Sequence, residues 1–261
     1  MKIADYLRQY KLNLKKSLGQ NFLTNMEIAK KIVESADIQT GETVLEIGPG
    51  AGTITELLIK KGANVVAVEI DKRLTPILDR FNEFENFKIY YQDFLKFDMK
   101  LLGENFKVVS NIPYSITGMI IKKILFSKFS TAILMVQKEV GDRLLAKPGE
   151  DRSFLTVVVQ TFTDIEKVLH VSKGNFVPPP QVDSVVLKFT RKEKIYEKYN
   201  IEEFWSFVSK CFEKKRKTLL NNLKGFVKNL DCFSEFDLKM RPQQLSNDNF
   251  LKLFEKYKGC K

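Results

Sequence analysis

Hydrophobic residues in the first three quarters of the chain come in short runs, separated by polar turns and by stretches with helical spacing. Thr43–Ile47, Asn64–Val68, Phe87–Tyr91, Lys107–Ser110 and Thr131–Val136 are such runs, rich in β-branched and aromatic residues, and read as strands. Thr53–Lys61 and Lys72–Phe81, which lie between them, read as amphipathic helices. Strands alternating with helices imply parallel βαβ units, and so an open α/β sheet. Ser184–Phe189 reads as a late strand, with Glu166–Val171 as its hairpin partner. Residues 1–40 read as helical, interrupted by a polar loop at Lys15–Leu23.

The pattern changes near Arg191. Beyond Ile201 the apolar residues Phe204, Phe207, Val208, Cys211 and Phe212 recur at helical spacing, and no strand pattern returns. This predicts a domain over residues 1–190 and a small helical domain over 191–261. Between Arg191 and Lys228 there are eleven Lys/Arg against five Glu, a local surplus of six.

Composition narrows the partners. At 44% hydrophobic residues the 261-residue chain can build a core, which argues against disorder. A net charge of +11 points to a polyanion, either nucleic acid or an anionic membrane surface, although a basic enzyme without such a partner also fits. Cys211, Cys232 and Cys260 are too sparse for a zinc knuckle or a disulfide framework. They suit a reducing compartment, with Cys211 in a helix core. One histidine, His170, cannot build a histidine metal site, so no metal is expected. With neither a secretory h-region nor an apolar run near the ~20 residues of a membrane span, the expectation is a soluble cytoplasmic protein without membrane contact.

The candidate chemistry gathers at strand ends. Glu46-Ile47-Gly48-Pro49-Gly50-Ala51-Gly52 joins the first strand to its helix, where glycine allows a tight turn and close approach of a ligand. A dinucleotide fold prefers G-x-G-x-x-G with a pyrophosphate at the helix N-terminus. The G-x-G-x-G spacing after an acid suits a ligand of net positive character, such as S-adenosylmethionine, and disfavours a nicotinamide-dependent dehydrogenase. A plain βα turn is the bland alternative. Glu69, roughly 20 residues past the glycines, can accept from both ribose hydroxyls. Asp93 can accept from an adenine amino group and Phe94 can flank the ring. Taken singly, each acid also reads as a solvated charge or a helix cap. Acids at three successive strand ends point instead to one crevice, because ligands of open α/β sheets bind there.

The fourth strand ends in Asn111-Ile112-Pro113-Tyr114. A strand-end turn accounts for Asn and Pro alone. Beside a cofactor crevice, the same four residues offer an amide, two carbonyls and a flat ring. These can hold a planar amino group and stack the base that carries it.

With these motifs the chain resembles the KsgA-type rRNA adenine dimethyltransferases over nearly its whole length. The resemblance rests on Leu18-Gly19-Gln20-Asn21-Phe22-Leu23, Glu46–Gly50, Val68-Glu69-Ile70-Asp71, Asn111–Tyr114 and Phe176-Val177-Pro178-Pro179-Pro180-Gln181-Val182-Asp183-Ser184. It implies a Rossmann-like methyltransferase sheet that dimethylates two adjacent adenosines near the 3′ end of small-subunit rRNA. The partner it implies is a pre-ribosomal 30S particle, met by a monomer. Gln20, Asn21, Leu23, Gly48, Gly50, Glu69, Ile70, Asp93, Phe94 and Asn111 are then the cofactor-binding positions. Asn111, Ile112, Pro113 and Tyr114 form the catalytic set, with Phe176 covering the other face of the base. Lys214, Lys215, Arg216 and Lys217, expected within a helix, are the candidate RNA contacts. Ser115 stands where the family often has Asn. The Erm-type large-subunit rRNA methyltransferases share the fold and the motif at Asn111. A non-catalytic nucleic-acid-binding factor on the same fold is the rival from another class.

Overall fold

The computed structural model describes residues 20–214 and 216–260. They fall into two compact units. One takes the described residues through Gly141 together with Ile165–Arg191; the other takes Asp142–Asp164 and the described residues from Lys192 onward.

The first unit is built on a seven-stranded sheet. Its strands are β2 (Thr43–Ile47), β3 (Asn64–Glu69), β4 (Phe87–Tyr91), β5 (Phe106–Asn111), β6 (Phe129–Gln137), β7 (Thr163–Val171) and β9 (Ser184–Arg191). Their order across the sheet is β4-β3-β2-β5-β6-β9-β7. Neighbours from β4 to β6 run parallel, and β9 is antiparallel to β6. Val44, Leu45, Val108, Val109, Ile133 and Leu134 are almost fully buried, as central parallel strands require. The order reverses between β2 and β5, and this reversal is the switch point at which such sheets bind ligands.

Some local elements depart from the sequence reading. Within the segment read as helical, residues 1–19 lie outside the described residues. Phe22–Leu23 is a short strand, β1, pairing antiparallel with β8 (Phe176–Val177). A helix begins only at Met26, where the Asn25 side chain accepts the Glu27 and Ile28 N–H groups; this is α1 (Met26–Ser35). The helix read over Lys72–Phe81 is broken into single turns, Lys72–Leu74, Thr75–Leu78 and Asp79–Phe81. Pro76 supplies no N–H to a continuous ladder, which favours this break. By contrast α2 (Thr53–Lys60) forms much as expected, directly after the glycine turn.

The second unit is helical and aromatic. Phe204, on the helix Ile201–Cys211, has its ring 5.5 Å from Phe162 and 5.4 Å from Phe254, both edge to face. Phe162 ends the helix Phe154–Phe162, which the sequence reading had left inside the first domain. Arg152 belongs to the same inserted segment. It is buried and donates through Nη1 to the Leu245 carbonyl at 2.6 Å, and through Nη2 to Gln160 and Asn247. The second unit therefore needs residues 142–164 to complete its core, beyond the 191–261 read from sequence.

Two further expectations change here. Cys232 and Cys260 form a disulfide, with Cα atoms 6.6 Å apart despite 28 residues between them. Their sequence spacing hid a short distance in space. Lys214, Arg216 and Lys217 lie outside any helix, since the helix Ile201–Cys211 stops before them and Thr218 caps the next helix, Leu219–Leu223. Lys214, Arg216 and Lys217 are exposed there, and Lys215 lies outside the described residues.

Candidate active site

Because β2 to β5 run parallel, their carboxyl ends open on one edge of the sheet. Gly48, Glu69, Asp93 and Asn111 therefore meet, although 63 residues of sequence separate the first from the last. They line one cavity, part of it open to solvent. Every residue assigned above to the cofactor lines it: Gln20, Asn21, Leu23, Gly48, Gly50, Glu69, Ile70, Asp93, Phe94 and Asn111. So do Ile112, Pro113 and Tyr114. Phe176 does not. It is 2% exposed, paired with Leu23, and belongs to the core beneath the wall that β1 forms.

The turn after β2 lets the backbone approach the cavity. Gly50 has φ +58°, and a Cβ there would lie 2.7 Å from the Phe22 ring. Gly52 has φ +81°, with a Cβ 2.4 Å from Phe81. Any side chain at either position meets both backbone strain and a clash. The Thr53 hydroxyl donates to the Leu23 carbonyl at 3.1 Å, tying β1 over the turn.

Three acids line the cavity: Glu46, Glu69 and Asp93. Among the described lining residues there is no Lys, Arg or His. Glu69 is buried, with one carboxylate oxygen accepting the Asp71 N–H at 2.8 Å and the other the Gly50 N–H at 3.3 Å. Burial raises its pKa against the pull of those two bonds. Glu46 is buried more deeply, and burial pushes its pKa up to about 8. The Thr55 hydroxyl at 2.6 Å opposes that rise, and the nearby Glu69 charge adds to it. Asp71, just outside, is held down at about 2 by the Arg73 guanidinium, helped by the Gln20 amide. One Asp93 oxygen caps the Leu95 N–H at 2.9 Å, as the cap reading allowed, which leaves the second as an acceptor. Lys123 donates to the Leu95 carbonyl at 2.7 Å and lies 5.2 Å from the centre of the Phe94 ring, so it steadies the loop that carries both residues.

The other side of the cavity is neutral. The Ser110 hydroxyl donates to the Ile47 carbonyl at 2.5 Å and locks the end of β5 to β2. The Asn111 amide nitrogen donates to the Asn21 carbonyl at 2.9 Å. That bond uses the donor end of the amide and leaves its oxygen as an acceptor. Ile112 is buried, and the Tyr114 hydroxyl meets Ser184 Oγ at 2.5 Å. Burial raises the Tyr114 pKa, so the phenol stays neutral at physiological pH. Ser115 is exposed. Sequence reasoning missed the Thr55, Lys123 and Ser184 contacts, since none of the three carries a motif that names its partner.

This donor set fits a ligand with a cationic centre, hydroxyl groups and an adenine amino group. Without a cation, the described lining offers no counter-charge for a pyrophosphate. The chain is similar to a dimethyladenosine transferase from Plasmodium falciparum (31% identity, TM-score 0.79, covering 91% of this chain and 98% of that one). It is also similar to the 23S rRNA methyltransferase ErmE (26% identity, TM-score 0.71, covering 91% and 100%). Fold and site together define an S-adenosylmethionine-dependent methyltransferase.

The family model for ribosomal RNA adenine dimethylase matches residues 11–258. The small-subunit rRNA methyltransferase A of Thermotoga neapolitana is 48% identical over 97% of this chain and 95% of its own. The protein of the same name from Malacoplasma penetrans is 40% identical over 97% and 95%. The chain belongs to the ribosomal RNA adenine dimethylase family.

Proposed function

We propose that this enzyme methylates the N6 amino groups of two adjacent adenosines near the 3′ end of small-subunit rRNA, twice each. It does so as a monomer in the cytoplasm, on a pre-ribosomal 30S particle late in assembly. The observation that carries the reading is the Asn111 amide, oriented by the Asn21 carbonyl and set beside Tyr114. The similarity to small-subunit enzymes at 48% identity favours this substrate over the large-subunit alternative suggested by ErmE at 26%.

Bound S-adenosylmethionine supplies an electrophilic methyl group. Glu69 and Asp93 hold the ribose hydroxyls and the adenine amine, while Gly48 and Gly50 let the backbone come close. The acids at the strand ends favour a ligand of positive charge. On the target side, an exocyclic adenine amine is a weak nucleophile because its lone pair is delocalised into the ring. The Asn111 side-chain oxygen and the Ile112 carbonyl both accept from N6–H. This favours a pyramidal nitrogen with its lone pair directed at the methyl group. Such bonds strengthen as positive charge develops on nitrogen, so they contribute to turnover more than to ground-state binding. The amine proton becomes acidic as the methyl transfers and can leave to water, so no general base is required.

The base leaves its stack to reach this pocket and lies against Tyr114. The exposed Lys214, Arg216 and Lys217, with Lys215 beside them in sequence, contact rRNA phosphates. Incubation with unmethylated small subunits and labelled S-adenosylmethionine, followed by mapping of the modified nucleotides, tests the reading. Label confined to large-subunit rRNA would overturn it.

A further inference from the structure

Ser184 has no assigned part in methyl transfer, yet it is fully buried and bonded to the one aromatic hydroxyl of the target pocket. Its Oγ lies 2.5 Å from the Tyr114 hydroxyl across 70 residues of sequence. Several bonds fix the serine itself. It opens β9, where it is paired with Gln137 of β6. The preceding Asp183 carbonyl accepts the Lys138 N–H at 2.9 Å. The Asp183 carboxylate accepts the Lys173 N–H at 3.0 Å and lies 3.1 Å from His170 Nε2. Ser184 is thus held by the sheet and by the loop before it, whereas the Tyr114 backbone sits on a single 3₁₀ turn, Tyr114–Ile116, tied at its carbonyl by the Thr117 hydroxyl at 3.1 Å, which leaves the ring itself to the Ser184 bond.

We infer that Ser184 is a positioning residue that holds the Tyr114 ring at the angle needed for the second methylation more than for the first. The inference rests on the reading of Tyr114 as the wall against which the base lies. In each transfer the N6 lone pair forms the new N–C bond while the C–S bond breaks. The bonding electrons stay on sulfur, and one N6 proton leaves to water. An unmodified adenine offers two N6–H groups, one for the Asn111 oxygen and one for the Ile112 carbonyl. The monomethylated amine offers only one. With one orienting hydrogen bond gone, alignment depends more heavily on the stacked ring, and so on whatever fixes that ring. The Tyr114–Ser184 bond is the only hydrogen bond from the Tyr114 hydroxyl among the described residues.

The test uses the full enzyme with unmethylated small subunits, scoring N6-monomethyl- and N6,N6-dimethyladenosine by mass spectrometry of the digested rRNA. Ser184→Ala and Tyr114→Phe each remove one partner and keep the ring. Loss of one buried hydrogen bond should raise the mono- to dimethyl ratio about fivefold at matched turnover. The double variant should show the same ratio as either single one, because both remove the same bond. Calorimetry should find S-adenosylmethionine affinity unchanged in all three. Tyr114→Ala serves as the reference. If it is inactive while both conservative variants give the wild-type product ratio, the positioning role is wrong. Additive effects of Ser184→Ala and Tyr114→Phe overturn it as well, since they would mean that the serine acts elsewhere. If Tyr114→Ala retains full activity, the stacking reading itself fails, and the inference with it.

Discussion

The two sides of the cavity present opposite chemistry, on the reading proposed above one for the cofactor and one for the target amine. On the cofactor side, two buried acids are kept in place by main-chain N–H groups and a threonine hydroxyl, although burial raises the pKa of both. On the target side nothing is charged. An amide, a carbonyl and a ring are oriented by bonds to Asn21 and Ser184. On the proposed reading, the contrast follows from what each side meets. A cationic ligand favours the charged form of these acids, which burial alone pushes toward the protonated form. A neutral amine rewards geometry, and a misplaced charge beside it would only have to be desolvated again. The acid side should therefore govern affinity and pH response, and the neutral side turnover.

If that division holds, Tyr114→Ala has the largest effect. It should lower methyl transfer to small subunits by about 100-fold, the upper end of what one stacked base contributes. S-adenosylmethionine binding by calorimetry should be unchanged, and a parallel loss of cofactor affinity would erase the distinction between the sides. Glu69→Ala comes next. Removing a charged acceptor for the ribose should weaken cofactor binding by about 30-fold while leaving association with small subunits intact.

Glu46 allows a subtler test, in the cofactor-free protein. Its pKa is raised in the fold to about 8 from an ordinary 4.5. The folded state therefore holds a proton that the unfolded chain has already lost, and stability present at low pH is lost as pH rises from about 4.5 to 8. The unfolding constant should grow by up to about tenfold per pH unit in that window, measured by urea titration. Glu46→Gln should flatten this dependence, and an unaltered slope would show that the carboxyl is not buried in its protonated form. Burial acts on Glu69 in the same direction, so part of the slope survives in the variant.

The smallest effect belongs to the basic run. Arg216→Gln with Lys217→Gln should reduce the slope of log affinity against log salt by about 1 to 2 for small subunits, with turnover at saturation unaffected. An unchanged slope would remove that run from the RNA interface.

Much of the cofactor side was legible because it depends on local features. Glycines at Gly48 and Gly50, an acid at Glu69 and another at Asp93 each sit at the end of a recognisable hydrophobic run, and parallel strands must end on the same edge. Phe176 shows where such reasoning stops. Its motif was evident, but the ring packs into the core beside Leu23, and no periodicity reports which way a residue in a two-residue strand turns. The helical placement of the basic run was misread for a related reason. Charge is visible in sequence, whereas the stop at Cys211 is closed by the Phe212 N–H turning back onto the helix's last carbonyls, and the Asn222 side chain, eight residues on, accepts the Lys214 N–H. The segment 142–164 reads as ordinary chain between two strands. Only contacts such as Arg152 with Leu245, 93 residues away, assign it to the helical unit.

Composition, hydrophobic period and strand-end residues were enough to specify a basic α/β protein with an acid-lined crevice and the Asn111–Tyr114 tetrapeptide beside it. These are one-dimensional properties, set by backbone propensity and by the chemistry of neighbouring residues. Long-range packing settled which hydrogen bonds orient that chemistry. Asn111 finds its partner 90 residues away, Tyr114 finds Ser184 70 away, and Cys232 meets Cys260 across a helix. The two hydrogen bonds depend on strand register and the disulfide on helix packing, and spacing along the chain encodes neither.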